Sequence, residues 1–175
     1  MLPFFLILFT DCGGDMEKKL FRAAETGNAE TVSSLLSIGV NPNARDDHDA
    51  PALMLAAEKG YTEVVRALLA KGAAVDAKER TFGRTGLMRA SYAGRTDTVK
   101  LLLDNGANVN AHDADRVTPL MLAVMQNNLD IVGLMIEKGA DLNAIDGEGR
   151  TALRIATFKQ YIDLVDKLKR AGARD

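Results

Sequence analysis

Cysteine and histidine are nearly missing from this 175-residue chain: Cys12 stands alone, and His48 and His112 are the only histidines. One cysteine excludes an internal disulfide framework and any zinc site built from several cysteines. A cysteine nucleophile needs a histidine base within reach, and Cys12 falls ahead of the main pattern of the chain, far from both histidines. An excess of one charge is missing too. Lys and Arg number 22 against 24 Asp and Glu, a net charge of −2, so no global attraction for nucleic acid or an acidic membrane is expected. Long apolar runs are also lacking. The longest, from Leu2 to Phe9, is far shorter than the roughly 20 residues that span a bilayer. What is present, 47% hydrophobic and 26% charged residues, is an ordinary soluble composition able to bury a sizeable core.

The strongest signal is periodic. Leu20, Leu53, Leu87, Leu120 and Leu153 recur at spacings of 33, 34, 33 and 33 residues, each followed three residues later by Ala23, Ala56, Ala90, Ala123 or Ala156. An apolar couple follows at Leu35-Leu36, Leu68-Leu69, Leu102-Leu103 and Met135-Ile136, reduced to Leu168 in the last unit. Each unit closes on a glycine: Gly39, Gly72, Gly106, Gly139, Gly172. Self-similarity at a period of roughly 20 to 50 residues marks a solenoid whose units bury their apolar faces only against their neighbours. Leu53, Ala56 and Ala57, then Val64, Val65, Leu68 and Leu69 after Gly60, predict two short antiparallel helices per unit. Thr62, Asp97 and Asp130 stand near the starts of second helices, where capping is expected of them. The Asn/Asp-rich stretches after each closing glycine read as turns into the next unit.

Thr118-Pro119-Leu120-Met121-Leu122-Ala123, then Glu137-Lys138-Gly139-Ala140-Asp141-Leu142-Asn143-Ala144, resembles an ankyrin repeat, as does the segment from Leu53 to Ala77. The resemblance covers about residues 17 to 175 and implies an all-α ankyrin-repeat solenoid of stacked helix-turn-helix units with β-hairpin-like fingers. The implied domain, 17–175, divides at about 17–46, 47–79, 80–113, 114–146 and 147–175. The family's histidine after the Thr-Pro-Leu turn is replaced by Phe21, Met54, Met88, Met121 and Arg154, so these turns are expected to lean on apolar packing and to be less rigid. Phe82 or a neighbour is an extra residue in the finger between the second and third units. Asn127 and Gln160 stand where Gly27, Gly60 and Gly94 end first helices, and Gln160 there implies a different turn or a longer helix.

Residues 1–16 differ in kind. An apolar run, the lone Cys12 and Gly13-Gly14 resemble a bacterial lipoprotein signal in which Cys12 would be lipidated, although no Lys or Arg precedes the run and Thr10-Asp11 fits the cleavage pattern badly. A start at Met16 or an apolar tail are the alternatives. The first reading places the chain at a bacterial envelope, membrane-tethered through lipid; the others place it in the cytoplasm. The terminal units read as caps: Ser33, Ser34 and Ser37 lie on the first, and Asp163, Asp166, Lys167, Lys169 and Arg170 on the fifth, so the array is expected to be complete.

No enzymatic constellation emerges. Asp46-Asp47-His48-Asp49 lacks the glycine and distal Glu of a calcium loop, and Gly147-Glu148-Gly149-Arg150 follows no strand and precedes no Lys-Ser/Thr. No catalytic role, metal or cofactor is expected. Arg80, Arg84, Arg89, Arg116, Arg150 and Arg154 form either a basic strip suited to an acidic peptide or phosphate, or a solvated face balanced by interspersed Asp and Glu. Ankyrin proteins bind through their fingers and the exposed positions of their first helices, which line a concave groove. Five residues after each opening Leu stand Glu25, Glu58, Tyr92, Met125 and Phe158, a series that changes from acidic to apolar. These last three either pack between repeats or form a partner patch. The resemblance therefore implies a non-catalytic, monomeric module that binds a protein or extended peptide, not nucleic acid, through Tyr92, Met125, Phe158, Phe82, Arg84, Arg116 and Arg150. The alternative is a membrane-tethered envelope or stress-protection protein that positions an enzyme.

Overall fold

A computed structural model describes residues 12–174. Ten helices follow one another among the described residues: α1 (Cys12–Glu25), α2 (Ala29–Ser37), α3 (Ala52–Lys59), α4 (Thr62–Ala70), α5 (Gly86–Tyr92), α6 (Thr96–Asp104), α7 (Pro119–Met125), α8 (Leu129–Glu137), α9 (Ala152–Phe158) and α10 (Ile162–Arg170). They pair within units, α1 with α2 through α9 with α10. The first helices stack in the order α1, α3, α5, α7, α9, and second helices α2, α4, α6 and α8 line up behind them. No described helix is long and apolar enough to cross a membrane.

The spacing of apolar residues explains the stack. Each second helix buries one stripe: Val32, Leu35 and Leu36; Val64, Val65 and Leu68; Val99, Leu102 and Leu103; Ile131, Val132 and Met135; Leu164 and Leu168. The first helices bury Ala56 and Ala57, Ala90, Ala123 and Ala156, whose small side chains permit close approach between units. At Gly86 the approach is tightest, because a Cβ there would lie 2.8 Å from Leu53 Cδ2. The core is one continuous cluster running the length of the array, with Leu20, Leu53, Leu87, Leu120 and Leu153 all buried in it.

Both helix ends repeat. Every second helix stops at a left-handed glycine, φ 79 to 98°, and the next N–H returns to the last turn, as from Ala73 to Leu68 O and from Ala140 to Met135 O. Every first helix stops in the same way at Gly27, Gly60, Gly94, Asn127 or Gln160. Gln160 therefore does not lengthen its helix or change the turn: it takes φ 59° while Tyr161 N donates to Ala156 O at 3.0 Å, the same bond that Asn128 N makes to Ala123 O. Tertiary packing has overruled local preference at that position.

The first helix begins ahead of Leu20, with Cys12 as its first residue, and runs across the expected boundary between residues 16 and 17. The apolar spacing begins a turn earlier, with Met16 packed against the core and Asp15 paired with Lys19 at 3.3 Å. The run from Leu2 to Phe9, and the leader or anchor role expected of it, lies outside the described residues. Thr62 does not cap α4, since its hydroxyl donates to Gly60 O and pairs with Thr98 at 2.9 Å. The side-chain caps of second helices are Asn28 and Asn128, which accept from Thr31 N and Ile131 N, while Asp97 and Asp130 sit in first turns. First helices α5, α7 and α9 are capped by Thr85, Thr118 and Thr151. Met54, Met88 and Met121 are fully buried, as apolar packing at those turns requires, but Arg154 is exposed.

Candidate functional site

Four fingers connect the units, and each is tied by one acid at its base. Asp113 Oδ1 accepts from Asp115 N and Val117 N, Asp146 Oδ1 from Glu148 N and Arg150 N, and Asp46 Oδ1 from His48 N and Ala50 N. In the second finger the acid is Glu79, whose carboxylate accepts from Thr81 N, Phe82 N and Arg84 N. The other fingers close from residue i to i+4, as Asp146 N to Arg150 O, whereas this one closes from Glu79 N to Arg84 O. A loop longer by one residue is served by an acid longer by one methylene. Antiparallel bridges Arg45–Pro51 and Lys78–Thr85 mark the two earlier fingers as hairpin-like.

Burial pushes the Glu79 carboxyl up, but N–H donors from Arg84, Phe82 and Thr81 and the charge of Arg89 outweigh it, leaving the group below the ordinary glutamate value. Asp146 is held down likewise: burial opposes, and the Arg150 N–H, the Arg150 guanidinium and the Glu148 N–H prevail. These acids were missed in the sequence, where they read as polar turn residues. The recurrence of an acid at 46, 79, 113 and 146 was the available signal.

Tips and bases join neighbouring units. Ala114 N donates to Phe82 O at 2.8 Å and Gly147 N to Asp115 O at 2.7 Å. Gly147 is glycine because a Cβ would meet Asp115 O at 3.1 Å, while Gly149 takes the left-handed tip position, φ 73°, held by Asp49, Gly83 and Arg116 in the other fingers. At the bases Asn43, Asp76, Asn110 and Asn143 accept from Ala74, Asn108, Asp141 and Arg174 N–H groups of the following unit. The fingers form a hydrogen-bonded row held on the stack of helix pairs.

Most of the arginines are neutralised in this row. Arg84 reaches Asp113 of the next finger at 3.3 Å, Arg150 reaches Asp146 and Glu148 at 2.8 Å, Arg89 reaches Glu58 at 3.3 Å, and Arg80 stands 3.8 Å from Asp49. Arg116 and Arg154 have no side-chain ion pair among the described residues. The six therefore do not make a continuous basic strip.

Tyr92, Met125 and Phe158, one unit apart on α5, α7 and α9, line one open groove of about 820 Å³. Phe158 is 84% and Tyr92 53% exposed, while Met125 is half-buried and also packs against the core. Arg150 and Glu148 form the finger-side wall; Arg154, Ile155, Gln126 and Lys159 complete it. Phe82, Arg84 and Arg116 lie outside this groove. Phe82 is 48% exposed on its finger with the Arg84 guanidinium 5.2 Å above its ring. Arg116 occupies the left-handed tip of the third finger, φ 60°. Gln126 and Lys159 each follow an already recognised groove residue, so moving the repeat-aligned series by one position would have found them. The histidines are both exposed: His48 lies near a finger tip, and His112 Nδ1 lies 3.1 Å from Asp113 O.

Comparisons with known proteins agree with this geometry. The family model for ankyrin repeats, in three copies, matches residues 20–113 and again 106–174. The chain is 39% identical over 62 residues to "Serine/threonine-protein kinase 12" of Arabidopsis thaliana, covering 35% of this chain and 14% of that protein. It is 33% identical over 74 residues to "Ankyrin repeat protein nuc-2" of Neurospora crassa, covering 38% of this chain and 7% of that one. It thus spans only a small part of either relative, and the likeness to the kinase is confined to repeats. With five stacked helix pairs, hydrogen-bonded fingers and a family match across nearly its whole length, the chain belongs to the ankyrin repeat family, a family of protein–protein interaction modules.

Proposed function

We propose that this chain is a non-catalytic binding module that takes another protein, or an extended peptide, in the groove formed by α5, α7, α9 and the last finger. The observation that carries this reading is the exposure of Tyr92 and Phe158 on either side of Met125 in one groove. Aromatic and Met side chains bury large area at low entropic cost, and a contiguous exposed set of them on a rigid frame is the usual form of a binding hot spot. Phe82, Arg84 and Arg116 extend the surface along the finger tips, and Arg150, fixed by two carboxylates, presents a pre-oriented wall.

Affinity capture from the source cells tests it, using the wild-type chain, a Tyr92→Ala/Phe158→Ala variant and an Arg66→Ala control on α4. The groove variant is expected to lose the captured proteins at unchanged melting temperature, with the control behaving as wild type. Retention of the same proteins by the groove variant would reject the groove as the site.

A further inference from the structure

The groove has an uneven charge that its aromatic floor does not explain. Its cations fall into two kinds. Arg150 is already held by Asp146 and Glu148, and it also satisfies the only carboxylate among the groove-lining residues, Glu148. Arg154 and Lys159, both exposed, have no ion pair or side-chain hydrogen bond among the described residues. They flank Phe158 in sequence and share α9 and its C-terminal turn with it, so two uncompensated positive charges stand beside the most exposed aromatic ring among the described residues. Arg154 is conspicuous for a second reason: at the equivalent position the second, third and fourth units bury Met54, Met88 and Met121 completely. A charged residue there contributes nothing to the core that its counterparts build.

The opposite end of the same face differs. Glu25 and Glu58 take the places of Tyr92, Met125 and Phe158, and Glu58 is occupied by Arg89. Apolar character and uncompensated positive charge therefore coincide in the last units.

Resting on the groove reading above, we propose that the occupant is an extended acidic peptide, with one large apolar side chain seated between Tyr92 and Phe158 over Met125 and carboxylates at neighbouring positions meeting Arg154 and Lys159. The unpaired cations select the partner's charge, and the apolar floor supplies the anchor. Single-stranded nucleic acid also joins stacking to positive charge, but it needs a basic track along its backbone. Here Glu148 stands in the wall, Asp115 lies on the adjacent finger tip, and the net charge is −2.

Fluorescence anisotropy with short labelled probes tests the proposal. The probes are a peptide with a central Phe flanked by Glu, its twin flanked by Lys, its twin with Ala for Phe, and an oligothymidylate. At low salt the Glu-flanked peptide is expected to bind about tenfold more tightly than the Lys-flanked one, a preference that salt erodes. Arg154→Glu/Lys159→Glu should reverse that preference without changing the unfolding curve, since both side chains are exposed. Equal affinity for the two flanked peptides, both lost in Tyr92→Ala/Phe158→Ala, would overturn the acidic class and leave the groove reading standing. Tightest binding of oligothymidylate would overturn it in favour of nucleic acid. Failure of every probe to bind would overturn the peptide inference, while capture of cellular proteins by the wild type and not by the groove variant would still support the groove.

Discussion

Glu79 and Arg84 close the second finger through two bonds at once: Glu79 N donates to Arg84 O at 3.1 Å, and Glu79 Oε1 accepts from Arg84 N at 3.1 Å. In the other three fingers an Asp does the same across a loop one residue shorter. Side-chain length and loop length have changed together, which leads to a compensation test. Glu79→Asp should lower stability by about 1 kcal/mol, because the shorter acid leaves part-buried N–H groups unmet. Deleting Thr81 in the same chain restores the spacing of the fourth finger and should recover most of the loss in urea unfolding.

Gln160 holds a left-handed turn that three of the five units give to glycine. Gln160→Gly should raise stability by about 1 kcal/mol, the relief of a Cβ from that conformation less the added freedom of the unfolded chain. Asn127→Gly should gain less, since Asn tolerates the turn. Differential scanning calorimetry of the two variants reads both effects.

Asn110 bridges the third and fourth units, accepting from Asp141 N at 2.8 Å and donating to Gly139 O at 3.4 Å. Asn110→Ala should cost about 1 kcal/mol, modest because water can replace an exposed bond. In a solenoid the loss falls on one interface between units, so the urea transition should broaden as well as shift.

Acid should loosen the fingers. Glu79 and Asp146 have folded-state pKa values below their ordinary 4.5 and 3.8, so their contribution to stability is complete above those values and is lost as pH falls through the lower folded ones. A Glu79→Gln/Asp146→Asn chain should be less stable at neutral pH but should lose less stability between neutral pH and the acid side of those values. Melting temperature against pH measures this.

The array itself was legible in the sequence because a solenoid writes its core once per unit: the opening Leu series, the paired Ala and the closing Gly each report a local contact that recurs. The extra residue of the second finger was legible in the single 34-residue spacing, and the alignment of Tyr92, Met125 and Phe158 in their equal offsets. Other features were hidden for physical reasons. The arginines are neutralised by acids reached across folded fingers or helices, as Arg84 is by Asp113, and no local pattern displays those pairs. Gln160 gave the wrong expectation because propensity is a local quantity and its turn is imposed by packing. The position of Phe82, outside the groove and beneath Arg84, likewise depends on how its finger folds.

Hydrogen exchange of the chain alone and with a captured partner tests the central claim most directly. Binding in the groove predicts slowed exchange in α5, α7 and α9 and in the last finger at 146–150, with α4, α6 and α8 on the far side of the stack unchanged. Slowing confined to those second helices, with the fingers and first helices unaffected, would contradict the account.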